Sequence, residues 1–334
     1  MCIQTILGSD LHNFLSNSIL RLLSISIIIF DALLSILQAC VNVQIPKWFS
    51  GLNGQALFLD TEGNFIPERV RQIASALADH CKHHYIESNP ERTDESFIKK
   101  YCPTVESLMS GIHYIRITDH LKLLAVCRHL EQFCDQHPLG KLPVEISREK
   151  NLFGEEVLYF LRKFINSDIA DFSHKCLLIL IQIRLIVVDS IALPFRYDFD
   201  DIPQRNRLLA SVTQMLLCVA GRQQAAVILT NQITTKFDAK NLNSEQFDCV
   251  IEEEKVVKEQ CRIDQNSCLV PALGDSWGHI CSLRVFLTRL TTGIRQVKLL
   301  KHPGRPYGVG YYQITTGGIR DLVQNNKCNK HLPE

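Results

Sequence analysis

The strongest constraint on the fold is a set of short runs that are apolar along nearly their whole length. Gln55 to Leu59 (QALFL) runs into Asp60-Thr61-Glu62-Gly63, and Arg184 to Asp189 (RLIVVD) ends in an acid. Ala225 to Thr230 (AAVILT) stops before Asn231-Gln232, and Ile112 to Ile117 (IHYIRI) reads as one further strand. A strand in a one-sided sheet alternates apolar and polar residues, so a run without alternation has to be covered on both faces. Between the runs, Pro67 to His80 carries Val70, Ile73, Ala74 and Leu77 at helical spacing, and His120 to His137 reads as a second helix. Strands of this kind separated by helices predict an α/β fold: a mostly parallel central sheet flanked by helices.

The chain has 334 residues, enough for one or two cores, and 46% of them are hydrophobic, which excludes a disordered or collagen-like protein. Its 36 Lys and Arg against 35 Asp and Glu leave a formal charge of +1, so no whole-molecule field draws in nucleic acid or an acidic membrane. A basic binding surface has to be local. The 13 cysteines are odd in number, contain no CxxC pair and sit mostly within apolar runs. That pattern suits reduced, buried thiols in a cytosolic or nuclear protein better than a disulfide framework.

Three stretches break the strand and helix rhythm. Residues 1–40 form an atypical apolar segment, of which Ile19 to Leu37 is the part most compatible with lipid. It carries Arg21 and a central Asp31, and an acid at the middle of a spanning helix costs roughly 2.5 to 3.5 kcal/mol on insertion scales. A buried helix or an aberrant start is therefore the better reading, and no membrane partner is expected. Residues 41–323 read as the core, with insertions at about 138–183 and 240–267, followed by a tail at 324–334.

In an open parallel sheet, ligands bind at the carboxyl ends of the strands. Asp60 and Glu62 close the first of these strands and Asp189 closes the third. An apolar run ending in Asp can supply a hard oxygen ligand for magnesium beside a phosphate, and a neighbouring carboxylate can orient or deprotonate a water. Helix capping explains such an acid almost as well. The amide of Gln232, after the fourth strand, can hydrogen-bond a phosphate oxygen. No glycine is followed five residues later by Gly-Lys, so the chain lacks a Walker A loop. By distance from the first strand, that loop falls in the atypical apolar segment. His80, Cys81, His83 and His84 cluster on one predicted helix, where an ordinary polar face outweighs a tetrahedral metal site that wants four ligands.

Together, Val41 to Pro46 (VNVQIP), Ala56 to Val70 (ALFLDTEGNFIPERV), Arg184 to Arg196 (RLIVVDSIALPFR), Ala226 to Lys236 (AVILTNQITTK), Leu269 to His279 (LVPALGDSWGH) and Gln313 to Asp321 (QITTGGIRD) resemble the RecA-type recombinase family. Within that family they are similar to the C-type paralogues of the eukaryotic strand-exchange recombinase. The resemblance implies a RecA-like P-loop NTPase core, a nuclear location, and a role in DNA repair by homologous recombination. It implies ATP and Mg2+ as cofactors, and as partners other recombinase paralogue subunits and single-stranded or branched DNA.

Residue by residue, the resemblance implies that Glu62 activates the attacking water and that Asp189 is the metal-associated acid. It implies that Arg69 packs on adenine, that Gln232 senses the γ-phosphate, and that His279 links nucleotide state to a neighbouring subunit. Arg196, Arg205, Arg207 and Lys236 fall beside the segments that resemble DNA-binding loops. The chain departs from the family pattern in lacking a small amino-terminal domain, a docking linker and the Walker A loop, and Glu252 to Glu254 stand where a DNA-contacting loop belongs. It reads as a truncated relative with impaired ATP hydrolysis. The alternative is a non-catalytic assembly subunit of a paralogue complex.

Overall fold

The computed structural model describes residues 22–27, 30–91, 94–136, 183–196, 199, 201–237, 262–264, 267–273, 277, 280–290 and 292–322. The uninterrupted apolar runs become adjacent parallel strands: β2 (Gln55–Asp60) lies between β3 (Ile112–Arg116) and β4 (Ile183–Asp189), and β4 pairs with β5 (Ala226–Asn231). Their side chains alternate between two cores. Ala56 and Phe58 of β2 face one, Leu57 and Leu59 the other, and in β5 Ala226 and Ile228 divide in the same way from Val227 and Leu229. Both faces are dry, which is why these strands show no polar alternation in sequence.

Helices cover each face. The first core lies under α1 (Phe30–Asn42), α2 (Pro67–Ser88) and α4 (Val105–Ser110). The second lies under α5 (His120–Gln136) and α7 (Ile202–Gln223). Two shorter helices, α3 (Glu95–Tyr101) and α6 (Leu193–Arg196), occupy connections. Residues 32–37 and 39–41 of α1 are all buried, so this helix is apolar round most of its circumference and fills the middle of its layer.

The atypical apolar segment contributes more than a helix. Leu22–Ile27 is β1, inserted between β5 and β9 (Leu283–Arg289) and parallel to both. Core and sheet thus begin upstream of residue 41, where the sequence reading starts the core. Beyond β9 the sheet turns antiparallel through β10 (Arg295–Lys301), β11 (Gly308–Thr315) and β12 (Gly318–Asp321). Among the described residues this gives one nine-stranded sheet, in the order β12-β11-β10-β9-β1-β5-β4-β2-β3. A small second sheet joins β6 (Ile233–Phe237), β8 (Ser267–Pro271) and β7 (Arg262–Asp264) in the order β6-β8-β7.

Most of the insertion at 138–183 and much of that at 240–267 lie outside the described residues, as does the tail at 324–334. Ile183 already belongs to β4, while β7 and the start of β8 fall within the second insertion as drawn from sequence. Among the described residues no helix is long and apolar enough to cross a membrane. Six described cysteines are free thiols, and five of them are buried.

Candidate functional site

The register of β2 against β4 sets Asp60 directly opposite Asp189, so two acids close neighbouring strands at one edge of the sheet. The chain after β2 stays attached there: the backbone N–H groups of Thr61 and Glu62 donate to the Asp189 carbonyl at 2.7 and 3.3 Å, and the Thr61 hydroxyl donates to the Ser190 carbonyl. The peptide between Asp189 and Ser190 is cis.

Asp60 builds the turn. Its fully buried carboxylate accepts from the Gly63 N–H at 2.6 Å and the Tyr114 hydroxyl at 3.0 Å, and it pairs with Arg116 at 3.2 Å. Gly63 has φ +82, and a Cβ there would meet the Arg116 guanidinium at 3.1 Å, so glycine suits the position twice over.

The turn aims Glu62 back across the strand ends. Its Oε1 accepts from Ser190 Oγ at 2.5 Å and from Gln232 Nε2 at 2.8 Å, and its Oε2 accepts from Asn64 Nδ2 at 3.2 Å. Gln232 in turn receives Arg196 Nη1 on its Oε1 at 2.7 Å. The result is a chain, Arg196 to Gln232 to Glu62, that spans the ends of β2, β4 and β5. Asp189 lies beneath it, buried, with Thr230 Oγ1 donating to its Oδ1. Burial pushes the Asp189 carboxyl up to about 6; the Thr230 hydrogen bond works against that, and the charges of Glu62 and Asp60 add to it.

Chemically, Glu62 is a carboxylate fixed by two donors on one oxygen, an arrangement that can orient a water or accept its proton. Asp189, raised by burial and further by two acidic neighbours, is a group whose charged form a cation would stabilise. Asp60 is committed to its turn, and among the described residues no cluster of three metal-ligating side chains forms. A magnesium ion would rest on Asp189, with its remaining ligands coming from phosphate and water.

A triphosphate does not fit the described residues beside this rim. The strand whose end adjoins it is β1, in register with β5 at Ser26 and Asn231, and α1 follows closely. The first turn of α1 holds Phe30, Asp31, Ala32 and Leu33, with no Lys and no hydroxyl. Asp31 is itself engaged, pairing with Arg295 Nε at 3.2 Å and accepting the Tyr312 hydroxyl at 2.9 Å. Burial, with the Asp31 charge adding to it, raises the Tyr312 phenol. An acid at a helix start opposes an anion that the helix dipole would otherwise favour.

Of the residues singled out from sequence, Glu62, Asp189 and Gln232 come together. Arg196 joins them through Gln232 rather than lining up with Arg205 and Arg207, which lie in the first turns of α7. Arg207 pairs with Asp201 at 3.8 Å and Arg205 donates to Asn206. Arg69 grips the turn between β11 and β12, donating to the carbonyls of Thr315 and Thr316. Lys236 lies on β6, its side chain outside the described residues, and His279 lies wholly outside them. In the histidine cluster, His83 pairs with Glu87, and His80 and His84 pack on Phe49. Ser190 and Thr230 escape the sequence reading, although each is a hydroxyl residue next to a strand end it singles out.

The sequence profile of the Rad51 family matches residues 35–85 and 172–322, a span that takes in the whole rim and begins just after Asp31. DNA repair protein RAD51 homolog 3 of Cricetulus griseus is 30% identical over 287 residues, covering 86% of this chain and 59% of that protein. The protein of the same name from Dictyostelium discoideum is 28% identical over 289 residues, covering 86% of this chain and 57% of its own length. DNA repair protein RAD51 homolog 2 of Mus musculus is 26% identical over 291 residues, covering 84% and 65%. The chain thus spans less than two thirds of each relative.

Proposed function

The chain belongs to the Rad51 family, and from that premise we propose that it serves DNA repair by homologous recombination as a RecA-like recombinase paralogue. The observation that carries the reading is the convergence of Glu62 and Gln232 over Asp189, at strand ends inside the span matched to the family. On this reading Glu62 orients a water and Gln232, its amide set by Arg196, couples the rim to β6 immediately after it. Other recombinase paralogue subunits and single-stranded or branched DNA are the partners, the nucleus is the location, and Arg205, Arg207 and Lys236 supply phosphate contacts. Arg69 and His279 complete the nucleotide face and the subunit face in the same proposal.

ATP and Mg2+ belong to this reading as family cofactors, but the start of α1 favours the second form of it, a subunit that assembles with paralogues without efficient turnover. Asp31 and its partners stand where phosphate donors are needed. Titration calorimetry of the full chain with Mg-ATP, beside a turnover assay of the chain and its Glu62→Gln variant, tests the choice. No turnover, and no change in Mg-ATP binding on Glu62→Gln, is the expected result. Turnover that Glu62→Gln abolishes would establish a working hydrolase and overturn the assembly form.

A further inference from the structure

A second site lies at the opposite end of β2. A cleft of about 450 Å³ opens where Gln55 starts that strand, and Lys47, Trp48, Asn53, Lys100 and Tyr101 line it with Gln55. Gln55 and Asp60 are the two ends of a six-residue strand, so the cleft stands roughly 17 Å from the carboxylate rim and is distinct from it.

Its walls are prearranged. Trp48 Nε1 donates to the Tyr101 carbonyl at 2.7 Å, tying the short 3-10 turn Lys47–Phe49 to the end of α3. Tyr85 packs between the two rings, 5.4 Å from Trp48 and 5.7 Å from Tyr101, and stacks on the latter. Trp48 and Tyr101 are each still 37% exposed. Gln55 keeps an amide at the floor, its Oε1 fixed by His113 Nε2 at 2.8 Å.

The charge is one-sided. Among the described residues no Asp or Glu lines the cleft, and neither Lys47 nor Lys100 has a carboxylate partner. A cleft with low-dielectric walls and charge of one sign focuses its field on an incoming anion. Flat exposed rings, amides and two ammonium groups in a volume of this size match a ligand with an aromatic base and a phosphate. We propose that this cleft binds a nucleotide, free or as one unit of a single strand, with the base against Trp48 and the phosphate near Lys47 and Lys100, whose Nζ is held 5.2 Å from the centre of the Tyr101 ring. The site does not rest on the hydrolytic reading of the rim.

The chain contains two tryptophans, Trp48 and the buried Trp277, so quenching of exposed-tryptophan fluorescence reports on this cleft alone. The full chain is titrated with AMP, with dTMP and with a ten-residue oligothymidylate. Quenching that saturates with a mononucleotide identifies a free nucleotide as the occupant, whereas quenching by the oligonucleotide alone identifies a strand. The double change Lys47→Ala and Lys100→Ala is expected to weaken binding about tenfold and, where the oligonucleotide binds, to flatten its salt dependence by about 0.7 per lysine. Trp48→Leu, read by anisotropy of the labelled ligand, should lose about tenfold, as deletion of a stacking platform does. A melting curve for each variant establishes that it is folded. Absence of quenching by all three ligands, or affinity unchanged by the lysine substitutions, overturns the site.

Discussion

Two regions share the carboxyl edge of the sheet and are held by opposite means. The rim between β2, β4 and β5 keeps a chain of polar contacts above an acid whose proton affinity is raised by burial and further by its acidic neighbours. The junction of β1 with α1 has an apolar helix and one acid neutralised by Arg295 and Tyr312. Like charge accumulates in the first and is cancelled in the second. A fold of this kind keeps its shape through burial on both faces of the sheet, so chemistry at one strand end can persist while that at the next is replaced. If so, removing an acid should have opposite effects in the two regions.

The largest effect belongs to the junction. Asp31→Ala leaves a largely buried guanidinium and a phenol without their acceptor, and breaking a pair of this kind costs about 3 to 4 kcal/mol. Urea denaturation should show the midpoint falling with the slope unchanged. A loss under about 1 kcal/mol would mean that apolar burial of α1 alone holds the junction, and the contrast with the rim would disappear.

At the rim the sign reverses. Asp189 has a folded midpoint of about 6 against 3.8 for an ordinary carboxyl, so the folded state binds its proton more tightly than the unfolded one. Its contribution to stability is full below about pH 4 and is lost as pH rises through 6. Asp189→Asn mimics the protonated form and keeps an acceptor for Thr230, so it should stabilise the chain by about 2 kcal/mol at pH 7.5. The gain should shrink toward zero by pH 4. Equal stability of the two proteins across that range would show that Asp189 is not strained by its surroundings.

The two regions also differ in how well sequence exposes them. Strands β2, β4 and β5 are legible because burial on both faces leaves an unmistakable apolar run, and Glu62, Asp189 and Gln232 are legible because they sit where such runs stop. The run from Ile19 to Leu37 defeats the same logic, since a buried strand and a buried helix are both apolar throughout and periodicity cannot divide them. Only the Ser-Ile alternation within Leu22–Ile27 hints at β1. Asp31 reads from sequence as an obstacle to membrane insertion; its partners Arg295 and Tyr312 are 264 and 281 residues away, and only the antiparallel half of the sheet brings them to it. The link from Arg196 to the rim is hidden for a related reason: its spacing sets it beside a segment that resembles a DNA-binding loop, while its hydrogen bond to the Gln232 amide, just past the end of β5, is a tertiary contact that spacing does not show.

The smallest effect is the most diagnostic of the rim as a unit. Glu62→Gln removes one of the two charges that raise Asp189 while keeping an oxygen for Ser190 and Gln232 to donate to. Stability should change by less than about 1 kcal/mol, because the side chain is partly exposed and its hydrogen bonds can be retained. The Asp189 midpoint, however, should move down from about 6, since ionising it no longer opposes a carboxylate at Glu62. Carboxyl carbon shifts followed by NMR between pH 3 and 8 resolve this directly. A midpoint that stays in place would mean that the charge of Glu62 has no part in setting Asp189. A fall of a few tenths of a unit or more would mean that the two acids share one electrostatic site, the property a cation-dependent rim requires and the junction, already neutral, lacks.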